Sequence, residues 1–379
     1  MSKIIVSRSN LLDGLETVIP GIKDDKASPM LKTVLMKAKD NVMILCSNSI
    51  SIMVFKAITL EEKSESLSLC VDCRFMYELI KKTDGDLITL VPGENNVCNI
   101  ISGCNETVIP TFDALAFPSV DVKANEIKKV ISVKGSVLTK GINSVIYAVT
   151  TDSSRPMLMN VNLSISNKET PDDNGNEVSE LKFVGSDGYR AAFYTEEVRD
   201  MENGTVLNVN IPKDSAKVIT SLVSKTECDV QVSSSQKYIS FTYGTTSLYI
   251  QLFEGQFMDA KRFFPAEFNS ALKVSRKDML TGVEVVELLI STQQKGSPVI
   301  FDVSEDEMVI STTTEISNYT RNLKVQKEGE NRKVKFNPIF ISNALKCMDS
   351  EDIEIRLSPD LGAALFKDKN IINIISQVR

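Results

Sequence analysis

A ten-residue pattern near both ends of the chain limits its possible folds more than any other feature. Residues 6–15 read VSRSNLLDGL and residues 274–283 read VSRKDMLTGV, so that Val, Ser, Arg, Leu and Gly coincide without a gap. Residues 133–140, VKGSVLTK, form a looser third copy. Repeats spaced this widely indicate duplicated domains, because the units of a solenoid recur at much shorter intervals. The sequence therefore predicts three related domains.

The spacing of the copies gives the predicted domain boundaries. Aligned on Leu12, Leu138 and Leu280, the copies lie 126 and 142 residues apart. Domains of this size are ordinary for compact folding units. We predict a first domain over residues 1–122, a second over 123–253 and a third over 254–379.

Each copy is predicted to be a short strand that runs into a helix. Apolar residues recur at helical spacing after the strand, and Ser7 and Ser275 are suitable N-caps. A basic residue follows in each copy: Arg8, Lys134 and Arg276. A cation near a helix N-terminus is unfavourable for the helix dipole. These three cations therefore either serve something outside the helix or are solvated surface charges.

A second helix is predicted in every domain. Residues 71–75, 211–215 and 336–340 each follow a strand pattern and begin an amphipathic segment. The six predicted helices span residues 7–19, 72–82, 134–147, 212–225, 275–288 and 336–348. Strand patterns that pair locally, together with two helices in each domain, indicate the α+β class. We expect three tandem α+β domains, each with two helices packed on antiparallel sheets.

The strands of the first domain are predicted as short hairpins. Leu31–Ala38 and Val42–Cys46 flank Asp40-Asn41, which is a turn signal. The segments Ile50–Ile58 and Leu67–Val71 are predicted as two further strands.

The composition argues against several classes of enzyme. The chain contains no histidine, which removes histidine-based nucleophilic triads, HExxH zinc sites and histidine general bases. Neither GxxxxGK[ST] nor GxGxxG occurs. The sequence shows no signal peptide and no apolar run long enough for a membrane span, so a cytoplasmic location is expected. We predict a protein that is not an enzyme and that needs no cofactor and no metal.

Seven cysteines leave one alternative open. The odd number in a chain without a leader indicates reduced thiols. Cys70 and Cys73 form a CxxC motif, and Cys98 and Cys104 follow in the same domain. They are either a zinc or redox site, which would belong to an enzyme, or ordinary core and surface thiols. The carboxylates of residues 304–307 are predicted at a hairpin tip, where a solvated turn is the expected state.

The charge is distributed unevenly. The net charge is −7, but the six predicted helices together carry +4 and the remaining residues −11. If all the helices face one way, they form a positive surface that can follow phosphates without reading bases. The alternative is chance. The candidate DNA-binding residues are Arg8, Lys23, Lys26, Arg74, Lys81, Lys134, Lys140, Lys213, Lys217, Arg276 and Lys346.

Two late segments are unusually apolar for their positions. Residues 254–265, between the second and third domains, contain Phe257, Phe263 and Phe264. These rings either pack the domain junction or bind a partner. The C-terminal segment IINIISQVR is apolar almost to its last residue, although chain ends commonly fray. An adhesive tail of this kind favours a binding partner.

Several short motifs together carry a resemblance to one family. They are GSDGYRA at 185–191, EGQF at 254–257 with Arg262, Phe263 and Pro265, AFP at 116–118, FNP at 336–338 and the final Val378-Arg379. With the three tandem domains, the chain resembles the bacterial sliding clamps, the beta subunits of DNA polymerase III. The resemblance covers the full length.

The resemblance implies a non-catalytic ring. Two chains would join head to tail, so that six domains encircle duplex DNA without sequence specificity and tether the polymerase. The helices would line the hole, and the sheets would continue across the subunit boundary. The homodimer contact would bring Ile109 of one chain to Leu289 and Ile290 of the other.

The resemblance also implies a cleft between the second and third domains. It would take short linear peptides from polymerases, the clamp loader and repair proteins. The corresponding residues are Leu158, Ser186, Gly188, Tyr189, Arg190, Ala191, Met258, Arg262, Phe263, Asn337, Phe340, Leu361, Ala363, Ile374, Ile375, Ser376, Gln377, Val378 and Arg379. Met258 and Gln377 stand where the family usually has proline, and Tyr189 stands where histidine is frequent. We therefore expect a rim of different shape.

Two other functions remain compatible with the residues alone. One is a scaffold that binds proteins through the same cleft but not DNA. The other is a histidine-free enzyme with a cysteine or carboxylate site in the first domain.

Overall fold

The computed structural model describes residues 3–118, 127–167, 178–198, 206–293, 297–315, 317–359 and 362–378, and the chain divides into two compact units. Of the described residues, the first unit holds 3–118, 127–139 and 214–252. The second unit holds 140–167, 178–198, 206–213 and the described residues from 253 onwards.

The described residues form six α-helices, two for each sequence repeat. They are α1 (Arg8–Val18), α2 (Cys73–Lys81), α3 (Gly135–Asn143), α4 (Lys213–Val223), α5 (Arg276–Gln293) and α6 (Pro338–Cys347). The predicted caps are present at two helix starts, where Ser7 accepts from the Asn10 N–H and Ser275 accepts from the Asp278 N–H, each at 3.3 Å. Helix α5 continues five residues beyond its predicted end at 288.

Within the described ranges, every pair of neighbouring strands is antiparallel. They are β1 (Ile4–Ser7), β2 (Thr33–Asn48), β3 (Ile52–Asp72), β4 (Leu87–Pro92), β5 (Val97–Ser102), β6 (Asn105–Pro110), β7 (Lys128–Lys134), β8 (Asn160–Asn167), β9 (Ser179–Ser186), β10 (Arg190–Val198), β11 (Leu207–Pro212), β12 (Asp229–Ser234), β13 (Tyr238–Tyr243), β14 (Thr246–Gln251), β15 (Ser270–Ser275), β16 (Val299–Ser304), β17 (Glu307–Thr313), β18 (Asn318–Gly329), β19 (Arg332–Phe336), β20 (Asp352–Leu357), β21 (Ala363–Asp368) and β22 (Ile371–Ser376). Helices packed on antiparallel sheets confirm the α+β class.

The first unit contains two sheets. One has the order β1-β4-β5-β6, and the other has the order β2-β3-β14-β13-β12-β7. In the six-stranded sheet, β14 of the second repeat pairs with β3 of the first, with Thr246 opposite Lys56 and Ile250 opposite Ile52. The sheet therefore continues from one repeat into the next.

The second unit contains one twelve-stranded sheet with the order β11-β8-β9-β10-β22-β21-β20-β15-β18-β17-β16-β19. Strand β22 of the third repeat pairs with β10 of the second, with Ile371 opposite Tyr194 and Ile375 opposite Arg190. Strand β18 pairs with β17 through its first half and with β15 through its second. The second and third repeats are thus joined in the same way as the first and second.

The predicted hairpin turn at Asp40-Asn41 is wrong. These residues lie inside β2, which runs beside β3 as one long ribbon with register shifts around Asp40. Asp40 takes φ 52°, a conformation that aspartate tolerates better than most side chains, so it forms an irregularity and not a chain reversal. The chain turns between Asn48 and Ile52 instead, and the four predicted strands are two.

The predicted register of the middle repeat is wrong by one residue. The three first helices begin at Arg8, Gly135 and Arg276, so that Gly135, and not Lys134, is the counterpart of the two arginines. This register also places Gly14, Gly141 and Gly282 at equivalent positions. A Cβ at Gly141 would overlap the Phe183 ring, and one at Gly14 would lie 3.1 Å from Leu45. The glycine lets each helix lie close against its sheet.

Residues 168–177 lie outside the described residues. Among the residues that are described, no helix combines the length and apolar character of a membrane span.

Candidate functional site

A tight turn between β9 and β10 forms one edge of the predicted peptide cleft in the second unit. Asp187 Oδ1 accepts the backbone N–H groups of Tyr189 and Arg190 at 2.9 and 3.1 Å. The Ser186 hydroxyl donates to Arg190 O at 2.7 Å and accepts from Gly188 N–H at 3.0 Å. Gly188 has φ +89°, where a side chain would be strained. The segment 186–190 is therefore held rigidly by its own side chains.

Arg190 is the charged centre of this region. Its Nε donates to Asp187 Oδ2 and its Nη2 donates to Tyr147 O, each at 3.0 Å. The guanidinium also lies 4.2 Å from the Phe340 ring centroid and 5.2 Å from that of Tyr147. Its side chain is only 10% exposed. Asp187 and the Tyr147 carbonyl supply the charge partner and a hydrogen bond that a buried guanidinium needs, and the two rings add cation–π contacts.

Tyr147 links Arg190 to the C-terminal strand. Its hydroxyl hydrogen-bonds to Asn373 Oδ1 on β22, and burial raises its pKa well above the usual tyrosine value. Arg190 Nη1 and Asn373 Nδ2 are buried without a hydrogen-bond partner among the described residues. The region thus presents two unused donors beside aromatic rings.

The opposite face of the same strands is apolar. Ala191 and Phe193 of β10 pack with Ile374 of β22, Phe257 and Phe263 in one cluster. Successive strand residues point to opposite faces, so Arg190 and Ala191 cannot line one surface together. The predicted cleft residues therefore divide between two faces of the sheet at this junction.

The remaining predicted cleft residues differ in position and in burial. Ala363 packs on the apolar cluster, Phe340 lies on the Arg190 face, and Asn337 caps α6 by accepting from Ile339 N–H at 3.0 Å. Leu158 is buried near Gly188, and Ile375 is buried opposite Arg190. Tyr189, Met258, Arg262, Ser376 and Val378 are exposed. Leu361 and Arg379 lie outside the described residues.

The tail is tied to the turn by backbone hydrogen bonds. Ser376 N–H donates to Tyr189 O at 3.0 Å, and Val378 N–H donates to Lys335 O at 2.8 Å. Gln377 stands where proline was expected. Its side-chain amide nitrogen is buried without a partner among the described residues. The sequence signal for a fixed tail was the run Ile371–Ile375, which is apolar except for Asn373.

Sequence reasoning missed Arg155 and Phe193. Arg155 Nη1 donates to Asp187 O at 2.8 Å, and its guanidinium lies 5.7 Å from the Tyr189 ring centroid, so it positions the turn. Phe193 contacts Phe263 and Phe264 with centroids 6.3 and 5.3 Å apart. The alternation along β10 was the signal that could have found Phe193.

Two of the candidate DNA-binding arginines have internal partners. Arg8 donates through Nε to Ile80 O at 3.0 Å and through Nη2 to Lys81 O at 2.7 Å. Arg276 donates through Nε to Ser350 O at 2.9 Å and through Nη1 to Leu345 O at 3.4 Å. Arg8 therefore satisfies carbonyls at the C-terminal end of α2, and Arg276 satisfies one carbonyl in the last turn of α6 and another three residues beyond that helix.

The other candidate cations differ in their engagement. Lys140 pairs with Asp349, and Lys213 donates to Val149 O. Lys217 and Lys346 form exposed ion pairs with Asp214 and Glu284 at 3.0 and 3.1 Å. Lys23, Lys26, Arg74, Lys81 and Lys134 are also exposed; Lys23 lies 4.0 Å from Asp25, and Lys81 lies 5.7 Å from the Tyr77 ring centroid.

The predicted dimer residues are only partly accessible in one chain. Ile109 and Ile290 are buried, and Leu289 is half-buried. Leu288, which was not predicted, is 63% exposed at the same end of α5.

The cysteines of the first repeat are separate buried or surface thiols. Cys70, Cys73 and Cys98 are buried, and Cys104 is exposed. Burial raises the pKa of Cys73 to about 12 and that of Cys98 to about 11. In the described ranges, no group of three or more histidine, cysteine or acidic side chains could hold a metal ion. A reactive cysteine site is not supported.

Comparison with known families gives matches along the whole chain. Models of the DNA polymerase III beta subunit match as its N-terminal domain over residues 2–121, its central domain over 132–259 and its C-terminal domain over 261–374. The chain is 25% identical to the beta sliding clamp of Staphylococcus epidermidis, covering 98% of this chain and 96% of that one. It is 24% identical to that of Staphylococcus aureus over the full length of both.

Solved structures share the fold. A DNA polymerase III beta chain from Streptococcus pneumoniae matches with a TM-score of 0.90 at 20% identity, covering 100% of both chains. A DNA polymerase sliding clamp from Bacillus subtilis matches with a TM-score of 0.88 at 19% identity, covering 100% of this chain and 99% of the other. The predicted boundaries at 122/123 and 253/254 stay predictions.

Three consecutive domain matches over almost the whole sequence, on a fold built from three similar α+β repeats, leave one assignment: the chain belongs to the DNA polymerase III beta subunit family, the bacterial sliding clamps that act as non-catalytic processivity factors in DNA replication.

Proposed function

We propose that two copies of this chain join head to tail into a closed ring that encircles duplex DNA. The observation that carries this proposal is the repeated junction between domains. Strand β14 adds to β3, and β22 adds to β10, in the same antiparallel manner. Among the described residues, the corresponding last strand of the first domain, β6, lies at the edge of its sheet and pairs with β5 alone. A heterologous contact of this kind can close into a ring.

The complementary edge is on the third domain. The first half of β18 pairs with β17 on one side and has no strand on its other side among the described residues. Open edges favour pairing with another strand, so β6 of one chain and β18 of a second satisfy each other. Leu288 and Leu289 at the end of α5 add apolar surface for the partner's first domain, near Ile109.

The proposed contact with DNA is electrostatic and independent of sequence. Arg74 and Lys81 on α2, Lys134 immediately before α3 and Lys26 in the segment between α1 and β2 are exposed cations. Lysine and arginine contacts to phosphates give affinity without base recognition, and a modest number of them permits sliding. We propose that the phosphates of the duplex contact these side chains.

The proposed partner cleft lies at the junction between the second and third domains. A groove with apolar anchors and a few fixed polar groups is suited to a short peptide. Met258, Phe264 and Tyr189 supply exposed apolar area beside the rigid turn and tail, while the cluster under Phe193 supplies the floor. Polymerase, clamp loader and repair proteins would reach it through short linear segments.

Sedimentation equilibrium tests the ring directly. A mass of about twice 41.9 kDa is expected at micromolar concentration. Retention on nicked circular DNA, with release after linearisation, is expected of a ring that encloses the duplex. A strict monomer, or equal retention on linear DNA, would contradict the proposal.

A peptide array tiled from the replicative polymerase of the same organism tests the cleft. Tyr189→Ala and Met258→Ala are expected to weaken the positive peptides by about tenfold, because each removes exposed apolar contact area. Val206→Ala is the matched control, since Val206 is 71% exposed in the same unit but is not a cleft residue. Equal losses in all three variants would argue against the cleft.

A further inference from the structure

The surface around the pairing of β14 with β3, the first junction, repeats that of the proposed peptide cleft at the pairing of β22 with β10, the second junction. Residues 28–31 read SPML and residues 155–158 read RPML. Each segment begins a short 3-10 helix at its proline, and Leu31 is buried as Leu158 is. The leucine that belongs to the proposed cleft therefore has a counterpart in the first repeat.

A tight turn is the second repeated element. Asn48 Oδ1 accepts from Ile50 N–H at 2.7 Å, as Ser186 Oγ accepts from Gly188 N–H at 3.0 Å. Ile50 has φ +75° and Gly188 has φ +89°, so both are in the left-handed conformation. Ile50 therefore occupies the position of the glycine in the turn that edges the proposed cleft.

An apolar floor is the third repeated element. Cys46 and Phe117 are buried in one cluster, against which Met30 and Phe55 pack. The second junction has a cluster of the same plan, with Val184, Phe193 and Phe257 among its members. Counted along the chain, each cluster takes one side chain four residues before the left-handed residue of its turn and one five residues after it. Wall, turn and floor thus recur together.

The two surfaces differ in charge. The second junction carries three charged side chains around its turn, and the first has uncharged residues at the equivalent positions. The equivalent pairs are Arg155 and Ser28, Asp187 and Ser49, and Arg190 and Ile52. A ligand of the first junction therefore gains nothing there from carrying a charge.

Two large aliphatic side chains are exposed at the first junction. Ile50 is 60% exposed and Leu115 is 94% exposed. Leu115 belongs to the short 3-10 helix Ala114–Ala116, and Asn48 Nδ2 donates to Pro118 O at 2.7 Å, which ties the turn to this segment. The left-handed conformation is unfavourable for a β-branched residue, and strained residues of this kind cluster at binding sites. Exposed apolar area beside a rigid turn is what the proposed cleft also offers.

We propose that the first junction is a second peptide site, which takes a short, uncharged peptide with aliphatic side chains. Ile50 and Leu115 contact the peptide, and the cluster around Phe117 forms the floor. A groove with apolar anchors and a rigid backbone edge suits an extended peptide. The inference rests on the proposed function, because the proposed cleft at the second junction is its template, but it adds a site with a different preference.

Binding of a fluorescent, terminally blocked pentapeptide, Ala-Leu-Ala-Ile-Leu, tests the inference. The full chain with Tyr189→Ala and Met258→Ala serves as background, because these changes weaken the second junction. Saturable binding is expected in fluorescence polarisation. Ile50→Gly and Leu115→Ser in this background should each weaken it by about fivefold or more, because each removes exposed apolar contact area.

The variants separate binding from folding. Ile50→Gly replaces a strained residue by the one that tolerates its backbone conformation, so thermal stability should not fall. Leu87→Ser is the matched control, since Leu87 is also exposed in this unit but lies on β4 in the other sheet. No binding in the background, a loss of equal size in Leu87→Ser, or tighter binding by Ile50→Gly would overturn the proposal. The last result would show that Ile50 blocks the groove.

The polymerase peptides that bind in the array distinguish this inference from the proposed function. Their binding should fall with Tyr189→Ala and Met258→Ala but stay within about twofold with Ile50→Gly and Leu115→Ser. If the first pair of variants has no effect, the proposed cleft fails, while the pentapeptide still decides the first junction. If only the pentapeptide result fails, the proposed cleft stands and the second site falls.

Discussion

The junction in the first unit and the junction in the second unit share a backbone plan but differ in what fills their faces. Both have five opposed residue pairs, from β14 and β3 in one and from β22 and β10 in the other. At the second junction Arg190 is enclosed by Tyr147 and Phe340. At the first, a cleft of about 620 Å³ lies between α1 and α4, beside Lys56. The backbone hydrogen bonds thus fix how the domains join. The side chains determine that the second junction is filled around Arg190 and that the first contains a cleft.

Ion pairs across the two junctions also have opposite polarity. Glu16 on α1 pairs with Lys225, two residues beyond α4, at 2.7 Å. Lys140 on α3 pairs with Asp349, two residues beyond α6. The position after the second helix is cationic at one junction and anionic at the other. Such alternation disfavours pairing of the wrong domains, because like charges would then meet.

The largest expected difference concerns the aromatic packing. Phe193→Ala should destabilise the second unit by about 3–5 kcal/mol, because it empties a buried site shared with Phe263 and Ile374. Tyr249→Ala at the first junction should cost about 1 kcal/mol, since Tyr249 is half-exposed and contacts Phe55 edge-on at 5.6 Å. Urea unfolding of both variants checks this, and equal costs would remove the distinction between the junctions.

The next difference concerns the buried charge. Arg190→Met should cost about 2–4 kcal/mol, because it leaves the mostly buried Asp187 carboxylate without its cation. Lys56→Met at the equivalent face should cost less than about 1 kcal/mol, since its partner Asp13 is largely exposed. Hydrogen exchange of the strand amides on each side reports which junction opens. Greater opening after Lys56→Met would reverse the comparison.

The sequence predicted some of these features and could not predict others. The starts of α1 and α5 could be predicted, because the side chains of Ser7 and Ser275 cap backbone N–H groups only three residues further along the chain. The shift of one residue in the middle repeat could not be predicted from the apolar pattern, because Leu11 and Leu12 both fit an apolar helical face. The sharper signal was the glycine six residues after each helix start. The division of the cleft residues between the two faces of the sheet at β10 follows from the alternation of side chains along a strand. A match of short motifs does not use that alternation.

A smaller effect concerns the polarity of the exposed ion pairs. Lys225→Glu and Lys140→Glu should each cost about 1 kcal/mol or less at low salt, because these pairs are partly solvated and screened. The double change Glu16→Lys/Lys225→Glu should recover part of the loss. Thermal unfolding at two salt concentrations measures it. A loss that persists in high salt would show that the polarity is not what matters.

The smallest effect is expected from pH. The raised pKa of Cys73 means that its thiol stays protonated in the folded protein while it would ionise in the unfolded chain. Its contribution to stability is complete below the unfolded pKa of about 8.5 and declines as pH rises towards about 12. Rapid alkylation of native protein at pH 8 should therefore modify Cys104 and Cys228 before Cys73. Early modification of Cys73 would contradict this protection.

The two arginines at the starts of α1 and α5 have a consequence for the ionic-strength response. Their guanidinium groups already donate to carbonyls at or just beyond the ends of α2 and α6, so fewer of their N–H groups are available to a phosphate. The middle repeat has Gly135 instead, where a Cβ would already lie 2.5 Å from Val223 O, and Tyr243 donates to the neighbouring Leu222 O. The salt dependence of DNA binding should accordingly indicate the release of fewer counterions than the number of basic residues suggests.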